Sequence, residues 1–457
     1  MALKNFKIND VIITTKDGKN ISIKSGLFST FVIREDIFSP YMTAQIQVTD
    51  TDGLFYDQTG TRAYINGGEK VSINIETEDS GRTNENFDGF YVDTTTPIIT
   101  KSNLQSGVLR LVTREGIINH LTRVSRRYDG TIEETVQKIL KDDIDGLTTK
   151  KEYNKFLNSS DYKTINKYSF IANIEKPFDV IRKLCPKSVP LSTKDKFKTA
   201  GYFFFENYDG FYFVGIDTLL EGKLNKPLES IYNKAEISKG NGIPYYRYTE
   251  IVNKNIPSDL RILNQPIVES KNNLLDSLLS GMYGINVTEY DAYTFERTDT
   301  NLTLKDIYKD GLNHSEKGAS TAPDFPFFEN KKYSRRIYRI ASNHAYAPSD
   351  TLANSKIPEE NTSRYQAEST IRSQLLFSQV VSIEVPLNLY LKVGQIIYCE
   401  MPNAVSGTEK ELDKDRFSGR YLITALCHDF SFNTINGRLG ITKLQLVKDS
   451  YKDSKVK

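Results

Sequence analysis

At 457 residues the chain is too long for one ordinary domain, and two to four are expected. Hydrophobic residues make up 38% and charged residues 26%, which permits packed cores and argues against disorder. The 60 basic and 58 acidic residues leave a net charge of +2, so no global field draws the chain to nucleic acid. No apolar run approaches the ~18 residues of a membrane span. Lys4, Lys7 and Asp10 interrupt the apolar residues of the first stretch, which does not read as a signal peptide.

Residues 6–33 alternate as short strands, with Asp17-Gly18 as a hairpin turn between Val11–Thr15 and Asn20–Lys24. Pro40 sets a turn after Phe28–Arg34, and Thr43 to Asp50 alternates with period two, as a strand with one buried face does. With the glycine-led strands that follow, residues 1–115 predict an all-β domain, a small barrel or sandwich. Many Tyr and Phe (27 and 24) suit such sheets.

The pattern changes after 115. Thr131 opens a helix to Asp142, with Glu133 and Glu134 in its first turn. Residues 145–165 read as a polar loop. Pro177 suits the first position of a helix through Leu184. Gly201–Asn207 and Gly210–Val214 predict a hairpin over Tyr208-Asp209. Residues 116–243 are thus expected to form a small α+β module. Tyr245 to Leu263 returns to strand character, and Asn272 to Leu279 reads as a helix with four leucines on one side. Gly284 to Tyr290 ends at Asp291 much as Thr43 to Thr49 ends at Asp50. Residues 299–370 are polar and turn-rich, a loop-rich insertion expected on the outside of any assembly. A second β-domain is assigned to 244–298 and 371–449, and 450–457 is a charged tail expected to fray.

Three glycine-led patterns recur in order. Gly68, Gly89 and Gly107 lead G-x-x-V, F-x-G-x-Y-V and G-x-x-R-L at intervals of 21 and 18. Gly394, Gly419 and Gly440 lead the matching G-x-x-I, F-x-G-x-Y-L and G-x-x-K-L at intervals of 25 and 21. Chance recurrence in a β-rich chain is one reading. Two related β-domains in one chain is the sharper one. It predicts that 1–115 superposes on 245–298 plus 371–449, with Gly89 and Gly419 equivalent.

Catalytic and metal signatures are missing. His120, His314, His344 and His428 have no partner at metal-ligand spacing, and no G-x-S-x-G, P-loop or G-x-G-x-x-G occurs. No carboxylate pair stands out as a glycosidase acid and base. His428 and Asp429 point to opposite faces of a strand, so His428 reads as a hydrogen-bonded structural histidine. The odd count of Cys185, Cys399 and Cys427 points to buried thiols in a reducing compartment, a Cys399–Cys427 disulfide being the weaker alternative. Lys331–Arg339 and Ser125–Tyr128 read as strands with a solvated basic face, as tracks for a phosphate backbone or as protein interfaces.

Taken together, several segments resemble the baseplate central hub protein of contractile-tailed phages. They are Asp36–Ser39 with Gln45–Asp50, Val124–Tyr128, Phe204–Phe211 with Phe213, Phe417–Thr424, His428 and Leu444–Asp449. The ordered set, rather than any one motif, carries the resemblance, and 300–370 carries little of it. It implies a mainly β (α+β overall) fold with two homologous tube-type antiparallel β-barrels, an inserted small α+β module and the loop-rich insertion. It further implies a non-enzymatic virion protein, a homotrimer with pseudo-sixfold symmetry, assembled in the host bacterial cytoplasm. Its partners would be a central spike protein, the tail tube or a tube-initiator protein, and neighbouring baseplate proteins. There is room for transient passage of DNA through the lumen, and no catalytic residue, cofactor, metal or membrane anchor. Two rivals are a hub-like spike component of a related bacterial contractile injection system, told apart by genomic neighbourhood, and a tail-associated cell-wall hydrolase, told apart by a peptidoglycan zymogram.

Overall fold

The computed structural model describes residues 6–23, 27–50, 65–77, 85–99, 105–144, 152–153, 162–191, 199–225, 236–237, 244–250, 258–270, 274–291, 295–304, 306–307, 333–341, 362–401, 417–433 and 437–449. The tail 450–457 and most of the loop 145–165 and of the insertion 299–370 lie outside them, as do His314 and His344. The fold is mainly β and α+β overall.

The first unit is β1 (Phe6–Thr14), β2 (Asn20–Ile23), β3 (Phe28–Asp36), β4 (Thr43–Asp50), β5 (Lys70–Thr77), β6 (Glu85–Ile99) and β7 (Gln105–Thr113). The Asp17-Gly18 turn joins β1 to β2, Gly18 taking φ 76°. Alternating apolar residues, such as Ala44, Ile46 and Val48 on β4, turn one face into a core with Phe31, Ile73 and Phe90. Leu387, Leu389 and Phe430 also enter that core, so the far end of the chain completes it.

The middle of the chain holds α1 (Arg114–Leu121), β8 (Arg127–Tyr128), α2 (Ile132–Asp142), β9 (Glu152–Tyr153), β10 (Phe170–Ile171), α3 (Pro177–Leu184), β11 (Tyr202–Asn207), β12 (Gly210–Gly215) and α4 (Ile216–Leu220). Helices α2 and α3 start where the capping signals place them, with the Thr131 N–H donating to Glu134 and Pro177 in the first turn of α3. The β11–β12 hairpin is buried on both faces. Phe204, Phe211 and Phe213 pack against α2 and α3, whereas Phe203, Phe205, Tyr212 and Val214 pack into the core of the C-terminal sheet. A hairpin apolar on both faces is thus the glue between the module and the rest.

The remaining strands are β13 (Glu236–Ile237), β14 (Pro244–Tyr245), β15 (Arg247–Thr249), β16 (Ile267–Ser270), β17 (Gly284–Asp291), β18 (Arg297–Thr303), β19 (Arg335–Ala341), β20 (Gln379–Pro386), β21 (Ile396–Glu400), β22 (Gly419–Asn433) and β23 (Gly437–Lys448). Helices α5 (Leu274–Ser280) and α6 (Thr362–Leu376) lie among them. One sheet runs β16-β20-β23-β22-β3-β4-β7-β6-β5-β1-β2, with β21 on β22 and β15 on β21. Antiparallel pairing of β22 with β3 makes the two ends of the sequence one continuous sheet.

Three expectations need correction. Strand β17, read as the counterpart of β4, belongs to a separate sheet, antiparallel to β18 and parallel to β19. It packs with α6 over Ile285, Val287, Ile371 and Leu375, so part of the polar insertion is ordered β-structure. The leucines of α5 do not form a buried face: Leu274, Leu275 and Leu279 are exposed. The expected absence of a Cys399–Cys427 bond is a separate matter and needs no correction: all three cysteines are free, Cys185 and Cys399 buried and Cys427 half-buried, with burial raising Cys185 to about 12 and also raising Cys399 and Cys427.

Candidate functional site

The feature shared by the two ends of the chain is a glycine turn that feeds a bulged strand. The Gly68 N–H donates to the Val92 carbonyl at 2.7 Å, and the Val92 N–H donates to the Glu69 carbonyl at 2.9 Å. The Gly394 N–H donates to the Ile423 carbonyl at 3.0 Å, and the Ile423 N–H donates to the Gln395 carbonyl at 2.9 Å. Side chains repeat the arrangement. Glu69 Oε1 accepts from the Asn66 N–H at 3.2 Å, and Gln395 Oε1 accepts from the Lys392 N–H at 3.1 Å. Gly68 and Gly394 have φ of 87° and 89°, a left-handed conformation that costs a side chain but not glycine.

Beyond each turn the strand bulges at the same place. β6 slips between Val92 and Thr94 against β7, and β22 slips between Ile423 and Ala425 against β23. These registers pair Val92 with Leu111 and Ile423 with Leu446. Leu111 then faces Ala44, and Leu446 faces Val381. One strand further out, Ala44 faces Ile33 and Val381 faces Val268. So β3, β4, β5, β6 and β7 correspond to β16, β20, β21, β22 and β23.

The other motif glycines fall out of step in this register. Gly89 is three residues before Val92, while Gly419 is four before Ile423. Gly89, at φ 105°, is the extra residue between Phe90, opposite Val71, and Asp88, opposite Ser72. Gly419, at φ 143°, faces Cys399, and a Cβ there would stand 2.8 Å from Lys448 Nζ. Gly107 faces Val48 and Pro97, and Gly440 admits no Cβ because Leu387 Cδ2 would be 2.6 Å away. Gly89 answers a local bulge and Gly419 and Gly440 a close approach, and such needs do not have to recur at equivalent positions.

The junction of β3 and β22 buries two ionisable side chains, Glu35 and His428. Glu35 is buried and accepts N–H bonds from Tyr208 at 3.0 Å and Val393 at 3.0 Å. Burial raises its carboxyl, against the pull of Lys392 and those two donors. His428, also buried, lies 3.1 Å from Thr442 Oγ1 through Nδ1. Burial, and then the Lys392 charge, hold its imidazole well below the ordinary range. On the solvent face a recess of about 380 Å³ is lined by Arg34, Asp36, Ile267, Glu384, Cys427 and Lys443.

A pH prediction follows from these two groups. The unfolded chain protonates its histidines near ~6.5, whereas folded His428 stays neutral, so stability falls with decreasing pH at about 1.4 kcal/mol per unit. Glu35 acts oppositely: its contribution is present below its unfolded value and is lost as pH rises through its raised folded value. Urea midpoints between pH 7 and 5.5 should drop in the parent protein and drop less in His428→Leu. Equal slopes would refute the assignment of this limb to His428.

The remaining predicted positions lie elsewhere. Arg126 bonds Tyr128 Oη at 2.9 Å and Asp143 at 2.5 Å, so it serves the module. In the basic stretch, Arg335 Nη1 donates to the Ser280 carbonyl at 2.8 Å and Arg339 Nη1 to Gln366 at 3.2 Å, with Tyr338 and Ile340 exposed on the other face. Sequence reasoning missed the buried triad of Arg372 with Asp217 (2.8 Å) and Asp449 (3.2 Å). Among the described residues no three His, Cys, Asp or Glu side chains gather as a metal site, and no helix is long and apolar enough to cross a membrane.

No protein-family model matches the chain, and no curated protein matches its sequence. Solved structures do match. A tail protein from Neisseria meningitidis MC58 aligns at TM-score 0.51 and 10% identity, over 97% of both chains. The 43 kDa tail protein of prophage MuSo2 from Shewanella oneidensis aligns at TM-score 0.50 and 8% identity, over 97% of this chain and 99% of its own. The chain therefore shares the fold of these tail proteins over 97% of its length.

Proposed function

We propose that the chain is a structural baseplate hub protein of a contractile phage tail. Three copies would form a pseudo-sixfold ring that joins the hexameric tail tube, or a tube-initiator protein, to a trimeric central spike, with other baseplate proteins around it. The observation that carries this reading is the duplicated turn-and-bulge unit, present twice per chain and already joined edge to edge. Two such units times three chains supply six similar surfaces to a sixfold tube while keeping threefold symmetry for a spike. The full-length match to two tail proteins supports it. The protein acts through geometry and not catalysis, and its place is the virion, after assembly in the host cytoplasm.

Light scattering tests the ring. The purified chain, or the chain with its spike, should show about three times the 52.0 kDa protomer mass. A monomer or dimer with the spike bound, or six chains, rules the ring out. The same protein should leave a peptidoglycan zymogram uncleared, and a cleared band lost on replacing one carboxylate would establish a hydrolase instead.

A further inference from the structure

We infer that copies of this chain join head to tail by pairing the outer edge of β6, residues Thr94 to Pro97, with the edge strand β16 of the next copy. This rests on the ring proposed above and adds to it the strands and their register. Within the chain, β22 changes its outer neighbour at its bulge: β21 pairs Gly419 to Leu422, and β3 pairs Ala425 to Ser431. The equivalent strand β6 has β5 beside Glu85 to Tyr91, but among the described residues Thr94 to Ile99 have no outer neighbour. The equivalent of β3 is β16, which pairs β20 on one side and has nothing described on the other. Among the described residues the chain therefore has one donor edge and one acceptor edge of the kind that already pair in its own interior. Applied between copies, the junction consumes both edges, and repetition generates a closed ring.

A second observation marks the acceptor edge. Ile267 is 63% exposed and Val268 36% exposed, two adjacent β-branched residues on an edge with no neighbour among the described residues. Lone exposed edges of this kind invite strand addition, whose backbone bonds set affinity and whose alternate side chains set register.

The internal junction fixes that register. His428 faces Ile33 and Cys427 faces Arg34. The strand correspondence then sets Pro97 opposite Val268, Thr96 opposite Glu269 and Thr95 opposite Ser270. The Ile37 N–H donates to the Thr424 carbonyl at 2.9 Å, so by antiparallel alternation His428–Ile33 is a hydrogen-bonded pair and Cys427–Arg34 is not. Val268 accordingly directs its N–H outward, to the Pro97 carbonyl. Proline returns no donor, so the junction between copies has one bond fewer than the one within the chain. Thr96 and Glu269 form a close, non-hydrogen-bonded pair whose Cα separation suits a disulfide.

The test uses the full chain carrying Thr96→Cys and Glu269→Cys. Mild oxidation should give covalent dimers and trimers on a non-reducing gel, which reductant returns to single chains. The pair Thr95→Cys with Glu269→Cys places its thiols on opposite faces and should not cross-link. Val268→Pro removes only the outward donor and leaves the ladder to β20. It should reduce the particle mass threefold with an unchanged far-UV spectrum. A trimer by light scattering that fails to cross-link through Thr96→Cys/Glu269→Cys, or that cross-links equally through the offset pair, overturns this pairing and leaves the ring standing. A parent chain that stays monomeric across a concentration series overturns both.

Discussion

Arg372→Met is expected to cost about 3–5 kcal/mol of stability, the penalty for breaking a buried ion pair from one side. Arg372 on α6 is 1% exposed, and its guanidinium sits between two carboxylates that are 5% and 0% exposed. Nε and Nη2 both donate to Asp217 Oδ1, at 3.2 and 2.8 Å, and Nη1 donates to Asp449 Oδ2 at 3.2 Å. Asp217 also accepts from the Thr199 hydroxyl. Methionine fills the volume of the stem but leaves two buried anions facing one another with no cation between them. The loss should appear as a lower urea midpoint at an unchanged slope. Adding Asp217→Asn and Asp449→Asn to Arg372→Met should recover part of the loss, because the surviving cost is the uncompensated charge. A single variant within about 0.5 kcal/mol of the parent would show that the triad carries no such load.

The second large effect is expected at Gly394. A Cβ there would stand 2.7 Å from Leu224 Cδ2 and 3.0 Å from Phe205 Cζ, on a backbone at φ 89°. Gly394→Val combines left-handed strain of about 1–2 kcal/mol with overpacking of about 1–3 kcal/mol. Its counterpart Gly68 has nearly the same φ, but there a Cβ meets only Lys16 Cε, at 3.6 Å. Gly68→Val should therefore cost the strain alone. The two denaturation curves separate the contributions: equal losses would mean that packing on Phe205 and Leu224 does not matter at Gly394. The comparison also tests the duplication, since it requires one turn in two different surroundings.

The hairpin at Asp17-Gly18, the starts of α2 and α3 and the β11–β12 hairpin were legible because each depends on residues within a few positions of one another. Gly68 and Gly394 were legible for the same reason: a left-handed turn asks for glycine wherever it occurs. The mainly β class followed from alternation and aromatic content. The recess at the junction and the buried pair Glu35 and His428 were not, because burial of a charged residue on a strand leaves no mark in the local pattern.

What the sequence by itself determined was local conformation: which stretches extend, which coil, and where the backbone needs a residue without a side chain. Tertiary structure alone decided which strands pair. β17 and β4 read alike, each an alternating run ending in aspartate, yet β20 takes the place equivalent to β4 because strand pairing depends on the partner's face and register as well as the strand's own pattern. It decided that Gly89 and Gly419 stand one residue out of step, since a bulge shifts register without altering the motif that contains it. It also brought Arg372 to Asp217, 155 residues away, because the desolvation that makes this contact matter exists only once the core has closed around it.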